Sequence, residues 1–259
     1  MKEQYGEISV RVDGHVALLE MNRPPNNFVS VDLMRSLADA LDDADADTNL
    51  RASVVCSAGK AFCAGADLAS PTGVGGAGMQ GINPLYHQAV RLFSIKKPIV
   101  VAVQGAAVGA GLGLALIGDF RVAAPEARFV SNFVKLGFHP GFGLTHTLPR
   151  VVGAQRAGLM FLTGRRIKAE EALVWGLVDQ VVYADQLLAT AKALAHEIAD
   201  NAPLAVRATR KTLRSDLAAA VKKQTDLEFA EQQWLMQTDD FKEGVKSVNE
   251  RRAGKFTGK

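Results

Sequence analysis

The stretch Lys96–Asp119, KKPIVVAVQGAAVGAGLGLALIGD, decides how this chain folds. Its centre, Ile99 to Gly118, runs twenty residues without a charge, long enough on length alone to cross a bilayer. Gln104 and the glycines at 105, 109, 111, 113 and 118 argue against that, and no other segment resembles a second span. The run IVVAVQ instead reads as a buried strand, followed by a Gly-rich turn and a short buried helix. A second stretch repeats the arrangement. ASVVCSA (Ala52–Ala58) reads as a strand, and KAFCAGADL (Lys60–Leu68) as a Gly/Ala turn leading into a helix. Turns built of such small residues let a ligand approach backbone N–H groups. Two converging N–H groups can stabilise charge developing on a carbonyl oxygen. Close helix–strand packing explains the same composition equally well.

Outward from these turns the pattern is α/β. ISVRV and VALLEM read as two strands around Asp13-Gly14. Ser30 can cap a helix whose apolar face is Leu33, Met34, Leu37, Leu41 and Ala44, with the acids of DDADAD on its solvated side. FRVAA and ARFVS are short extended pieces. Helical spacing then dominates, near 144–152, 154–162, 169–175, 186–199, 204–213, 217–237 and 241–252, with a strand interposed at 178–182. Asp200-Asn201-Ala202-Pro203 is the best boundary, dividing an α/β core (1–200) from a C-terminal helical region (201–259).

The composition suits a folded globular protein: 259 residues, 48% hydrophobic, 22% charged, formal net charge +3. That balance offers no footprint for nucleic acid, and the basic excess of 241–259 reads as a solvated tail. Cys56 and Cys63 have neither a second pair nor a nearby histidine, so no metal site is expected and both read as buried free thiols. MKEQYGEISV has no apolar signal region, which makes the cytoplasm the expected compartment. Gly73–Gly78 fits G-x-G-x-x-G, but Ser-Pro-Thr precedes it and MQGINP follows, so it reads as a loop and not a dinucleotide site.

Several motifs, in order, carry a resemblance: NRPPNNF, SAGKAFCAGADL, KKPIVVAVQGAAVGAGLGLAL with Asp119, ARFVSNFVKLGFHPGFG, LTGRRIKAEEALVWGLVD and DDFKEGVKSVNERRAGKF. Over nearly its whole length the chain resembles the enoyl-CoA hydratase/isomerase, or crotonase, family. The resemblance implies a spiral of ββα units, a C-terminal helical region used in trimerisation, and trimers or hexamers built from two trimers. It also implies acyl thioesters of coenzyme A as ligands, with the coenzyme part of the substrate and no permanently bound cofactor. Carried over by position, the oxyanion hole is the N–H groups of Ala66 and Ala110, with Gly111 as the alternative one residue on. Lys60, Ala61 and Ala64, followed by Asp67 and Leu68, line the adenine end of the coenzyme.

The chain departs from the family where proton transfer is performed. The two glutamates of its hydratases fall at Gly113 and Phe133, and neither residue can move a proton. Between Gly105 and Arg150 the acids are Asp119, at a position the family carries for structural reasons, and Glu126 in the turn AAPEA. His139, six residues past Phe133, is the candidate acid or base, and His87 a weaker one. Loop packing is the competing explanation for the first, and a half-exposed helix position for the second. Ser131 and Asn132 can hold a water or a substrate oxygen, although strand-end hydrogen bonding is the more ordinary role. Phe28, Phe133, Phe138 and Phe142 suggest an apolar acyl pocket, although aromatics are more often plain core. Two readings stand. One is an enzyme acting on acyl-CoA through an enolate or oxyanion, with decarboxylase or hydrolase chemistry suited to a site without carboxylates and a hydratase or isomerase with relocated acid–base groups as a third form. The other is a non-catalytic acyl-CoA binder or assembly subunit.

Overall fold

A computed structural model describes the backbone of residues 1–66 and 79–259; the side chains described are those of 1–66 and 84–259. Asp67, Leu68 and the glycine run 73–78 lie outside the described residues. The strands are β1 (Gln4–Tyr5), β2 (Ile8–Asp13), β3 (Val16–Met21), β4 (Ala52–Ser57), β5 (Ile99–Val103), β6 (Ala106–Val108), β7 (Phe120–Ala123), β8 (Arg128–Val130), β9 (Arg166–Lys168) and β10 (Gln180–Val181). The helices are α1 (Val31–Ala46), α2 (Met79–Phe93), α3 (Ala110–Ala115), α4 (Leu144–Val152), α5 (Ala154–Thr163), α6 (Ala169–Val174), α7 (Leu187–Ala199), α8 (Pro203–Leu213), α9 (Leu217–Leu235) and α10 (Asp239–Asn249). Phe133–Leu136 forms a short 3₁₀ turn.

One sheet orders its strands β1-β2-β3-β4-β5-β7-β10, and a second orders β6-β8-β9. From β3 to β10 the first sheet is parallel, with Leu19 beside Val55 and Val55 beside Val101. Parallel strands covered on both faces read as near-continuous apolar runs, which is why VALLEM, ASVVCS and IVVAV carry so few polar residues. Helix α7 covers one face, setting Leu187, Ala191 and Ala195 against Val54, Val100 and Val122. The larger core on the other side takes the buried face of α1. The Ser30 hydroxyl accepts the Leu33 N–H at 3.1 Å, a cap worth about 1 kcal/mol.

The acids of DDADAD do more than face solvent. Asp45 accepts the N–H groups of Lys96 and Lys97, and Asp43 accepts the Tyr5 hydroxyl proton. The strand expected over 178–182 shortens to β10, and α10 begins at Asp239 because Thr238 caps it through the Phe241 N–H. The tail is exposed but tied: the Lys259 carbonyl accepts the Asp239 and Asp240 N–H groups, and the Asp240 carboxylate accepts those of Thr257 and Gly258. Across the expected boundary near 200, Arg210 and Arg214 reach back to Asp119 at 2.9 Å. Cys56 and Cys63 are free, buried thiols with pKa values pushed up to about 12, first by burial. Neither is a thiolate nucleophile near neutral pH.

Candidate active site

The two Gly/Ala turns lie side by side. The Cys63 N–H donates to the Ala106 carbonyl at 2.9 Å, and the Val108 N–H donates back to the Cys63 carbonyl at 3.0 Å. The Val29 N–H ties the first turn from its other side through the Gly65 carbonyl at 2.9 Å. Glycines permit the closeness. A Cβ on Gly105 would stand 1.9 Å from the Lys60 carbonyl oxygen, one on Gly111 2.1 Å from the Cys63 oxygen, and one on Gly65 2.7 Å from the Val108 oxygen. Asn27, wholly buried in NRPPNNF, braces the loop before the first turn by donating to the carbonyls of Ala58 and Ala61.

Both turns open on a cavity of about 230 Å³. Ala64, Gly65 and Ala66 line it from the first turn, and Val108, Gly109 and Ala110 from the second. Of the two positions considered for the second donor, Ala110 lines the cavity, whereas Gly111 is buried against Cys63. Among the described residues neither the Ala66 nor the Ala110 N–H has an acceptor. Lys60 is exposed and Ala61 half-buried, and of the Lys60–Ala64 segment only Ala64 reaches the cavity wall.

Phe28, Phe133, Phe138 and Phe142 all line the cavity. The Phe133 ring lies over Gly109, where a Cβ would come within 3.4 Å of it. It stacks on Phe138 at 6.4 Å, which in turn meets Phe241 of α10 at 5.2 Å. Phe142 closes against α3: a Cβ on Gly113 would stand 2.5 Å from Phe142 Cδ1. The space beside Gly113 is therefore filled by a ring, and Phe133 carries a ring of its own.

Among the described residues lining the cavity there is no carboxylate, histidine or lysine. The titratable group there is Tyr86, whose hydroxyl donates to Gln232 Oε1 at 2.7 Å and is pushed up by burial first and by nearby Glu228 second. His139 is half-buried outside the cavity lining, with Nδ1 2.7 Å from the Pro140 carbonyl oxygen. His87 is exposed in a separate groove with Asp42, Arg91 and Lys222. Asn132 lines the cavity; Ser131 is buried, and its hydroxyl has no partner among the described residues. Asp119 accepts from Arg210 of α8 and from Arg214 just beyond it, a structural role, and no group of three or more metal-ligating side chains occurs among the described residues.

Several wall residues escaped sequence reasoning. Val245, Val248 and Asn249 arrive from α10 at the far end of the chain, and Leu85 and Tyr86 from α2. No local signal marks them. The pair Gly137 and Gly244 is the available hint, since a Cβ on either would stand within 2.7 Å of backbone in the facing element, so α10 must dock tightly on the 3₁₀ turn.

A spiral α/β core with C-terminal helices, carrying an apolar cavity faced by two Gly/Ala turns, defines a crotonase-fold protein. Comparison with known proteins agrees: a family model described as enoyl-CoA hydratase/isomerase matches residues 11–259, and the chain belongs to that family. It is 36% identical over 254 residues to the 1,2-epoxyphenylacetyl-CoA isomerase of Escherichia coli K12, covering 96% of this chain and 97% of that one. It is 32% identical over 258 residues to the crotonyl-CoA hydratase of Syntrophomonas wolfei, covering 98% and 99%. The crystal structure of an enoyl-CoA hydratase/isomerase from Pseudoalteromonas atlantica T6c superposes with a TM-score of 0.85 at 31% identity, over 97% of this chain and all of that one. No helix among the described residues is long and apolar enough to cross a membrane.

Proposed function

We propose that this protein is an acyl-CoA enzyme that polarises a thioester carbonyl between the N–H groups of Ala66 and Ala110 and performs chemistry that needs no protein carboxylate. The observation that carries the reading is the cavity itself: among the described residues two N–H groups at its wall have no acceptor, and its lining holds no carboxylate, histidine or lysine. Hydration needs a base for water and an acid for the α-carbon, and the positions that supply them in hydratases are Gly113 and Phe133. Loss of carbon dioxide from a β-carboxylated acyl thioester needs neither. The bond from the α-carbon to the carboxylate breaks, its electron pair moves onto the thioester oxygen as an enolate, and the two N–H groups hold that charge. A proton from water then completes the product. The apolar walls strengthen each donor by excluding competing water.

The reading also includes a trimer or a hexamer of two trimers, consistent with Leu162, Val174, Leu204 and Leu213 being strongly exposed. It includes the cytoplasm, where thiols such as Cys56 and Cys63 stay reduced.

A panel of malonyl-, methylmalonyl-, crotonyl-, longer 2-enoyl-, 3-enoyl- and plain acyl-CoA tests the reaction, with binding followed in parallel. Decarboxylation without hydration of crotonyl-CoA is the expected outcome. Rapid hydration or isomerisation would contradict the carboxylate-free reading. Tight binding of every thioester without turnover would favour the second reading, a non-catalytic acyl-CoA binder, which the same absence of acid–base groups supports.

A further inference from the structure

Helix α9 turns a polar stripe inward. Thr225, Glu228 and Gln232 recur on one face, and all three are buried. Glu228 is wholly inaccessible, and no cation faces it among the described residues. Its Oε2 accepts the Gly143 N–H at 2.7 Å, and its Oε1 accepts the Thr145 N–H at 2.9 Å and the Thr145 hydroxyl proton at 2.5 Å. Gly143, which starts α4, has no side chain with which to cap it, and Glu228 supplies that cap from another helix. One turn further along, Gln232 Oε1 accepts the Tyr86 hydroxyl proton and its Nε2 donates to the His139 carbonyl at 2.9 Å. Gly141 sits between these groups, where a Cβ would stand 1.9 Å from the Tyr86 oxygen and 2.6 Å from Gln232 Nε2.

These contacts converge on one residue. Phe142 has φ +65°, a left-handed backbone that a side-chain-bearing residue rarely takes and that persists where its surroundings hold it. Its ring lines the cavity and lies against Gly113. We propose that Glu228 and Gln232 are positioning residues of the acyl site, holding the Gly141–Gly143 turn so that the Phe142 ring stands as a wedge beside Gly113 and limits the length of acyl group admitted. The assignment of an acyl group to this cavity rests on the function proposed above; the clamp itself does not.

The test uses the whole 259-residue chain and its variants Glu228→Ala, Glu228→Gln and Phe142→Ala. Dissociation constants are measured for butyryl-, octanoyl- and dodecanoyl-CoA and for free coenzyme A. Loss of the clamp should shift the dodecanoyl-to-butyryl preference at least tenfold toward the longer chain in Glu228→Ala and Phe142→Ala, and less in Glu228→Gln. Free coenzyme A should bind within twofold of wild type throughout. The double variant should show no further shift, since both changes release the same wedge. An unchanged chain-length preference, or a uniform loss that includes free coenzyme A, would overturn the proposal. On the same samples without ligand, amide exchange at Gly143 and Thr145 should quicken at least tenfold in Glu228→Gln relative to the amides of α3. Unchanged exchange would overturn the clamp whatever the cavity binds, whereas failure of wild type to bind any thioester, with the exchange effect intact, would count against the acyl assignment alone.

Discussion

Two carboxylates, one largely and the other wholly buried, show opposite solutions to the same electrostatic problem. Asp119, immediately before strand β7, is held by Arg210 and Arg214 and accepts the Ile99 N–H at 2.8 Å. Burial by itself would raise its pKa, but the two guanidinium groups outweigh burial and hold it below the usual carboxylate range. Glu228, on α9, has neutral donors in place of cations, and burial pushes it up to about 7 against their pull. A carboxylate with its own cations is a staple that joins α8 to the sheet. One held by neutral N–H and O–H groups can be titrated, and it stands beside the cavity wall.

Breaking the staple gives the largest expected effect. Asp119→Ala leaves two guanidinium groups buried without their anion and should cost about 3–5 kcal/mol of stability. Denaturant titration checks this, and a loss below about 1 kcal/mol would show that Arg210 and Arg214 find other partners. Next comes the proposed oxyanion hole: Ala66→Pro removes one N–H from the cavity and should slow turnover by about 10²–10³-fold. A near-normal rate with unchanged stability would place the oxyanion elsewhere.

The two carboxylates also predict opposite slopes of stability against pH. Asp119 is depressed in the fold, so its contribution is present at neutral pH and lost as pH falls through its folded value. Glu228 is raised, so stability is greater below its unfolded value of 4.5 and declines as pH rises to about 7, by roughly 3 kcal/mol at most. Thermal unfolding of Glu228→Gln from pH 4 to 8 should lack that decline; an unchanged curve would mean that another group produces it. Gly113→Glu should lose about 1–3 kcal/mol through overlap with Phe142. Adding Phe142→Ala should restore at least half of the lost unfolding midpoint, and no recovery would show that the clash lies elsewhere. The smallest effect belongs to His139→Ala. Its ring lies outside the cavity lining, and turnover should change less than about threefold; a hundredfold loss would restore it as an acid or base.

What could be read from the sequence was what local chemistry dictates. The apolar strands, the Ser30 cap with its Leu33–Ala44 face, and the two Gly/Ala turns all follow from runs and spacings, whereas Ala66 and Ala110 were singled out within those turns by position, from the family resemblance. The four phenylalanines, all in segments that carry the family resemblance, stood as candidate wall residues with plain core as the alternative. The polar face of α9 did not emerge. Thr225, Glu228 and Gln232 look like solvated helix positions in a segment of mixed charge, because the partners that satisfy them, Gly143, Thr145 and Tyr86, lie far away in sequence. His139 attracted notice as an ionisable residue near a lost carboxylate, yet the fold turns its Nδ1 to the adjacent Pro140 carbonyl. The α10 wall was hidden for a related reason: Val245 and Val248 gain their role from where Gly137 and Gly244 let the helix dock.

The central claim concerns one carbonyl and two N–H groups, and vibrational spectroscopy reads that contact directly. The infrared difference spectrum of a thioester bearing a ¹³C-labelled carbonyl would be recorded on binding to wild type and to Ala66→Pro. Polarisation between Ala66 and Ala110 should move the carbonyl stretch to lower frequency in wild type and leave it near its solution position in the variant. An unshifted band in wild type, or the same shift in both proteins, would contradict the account.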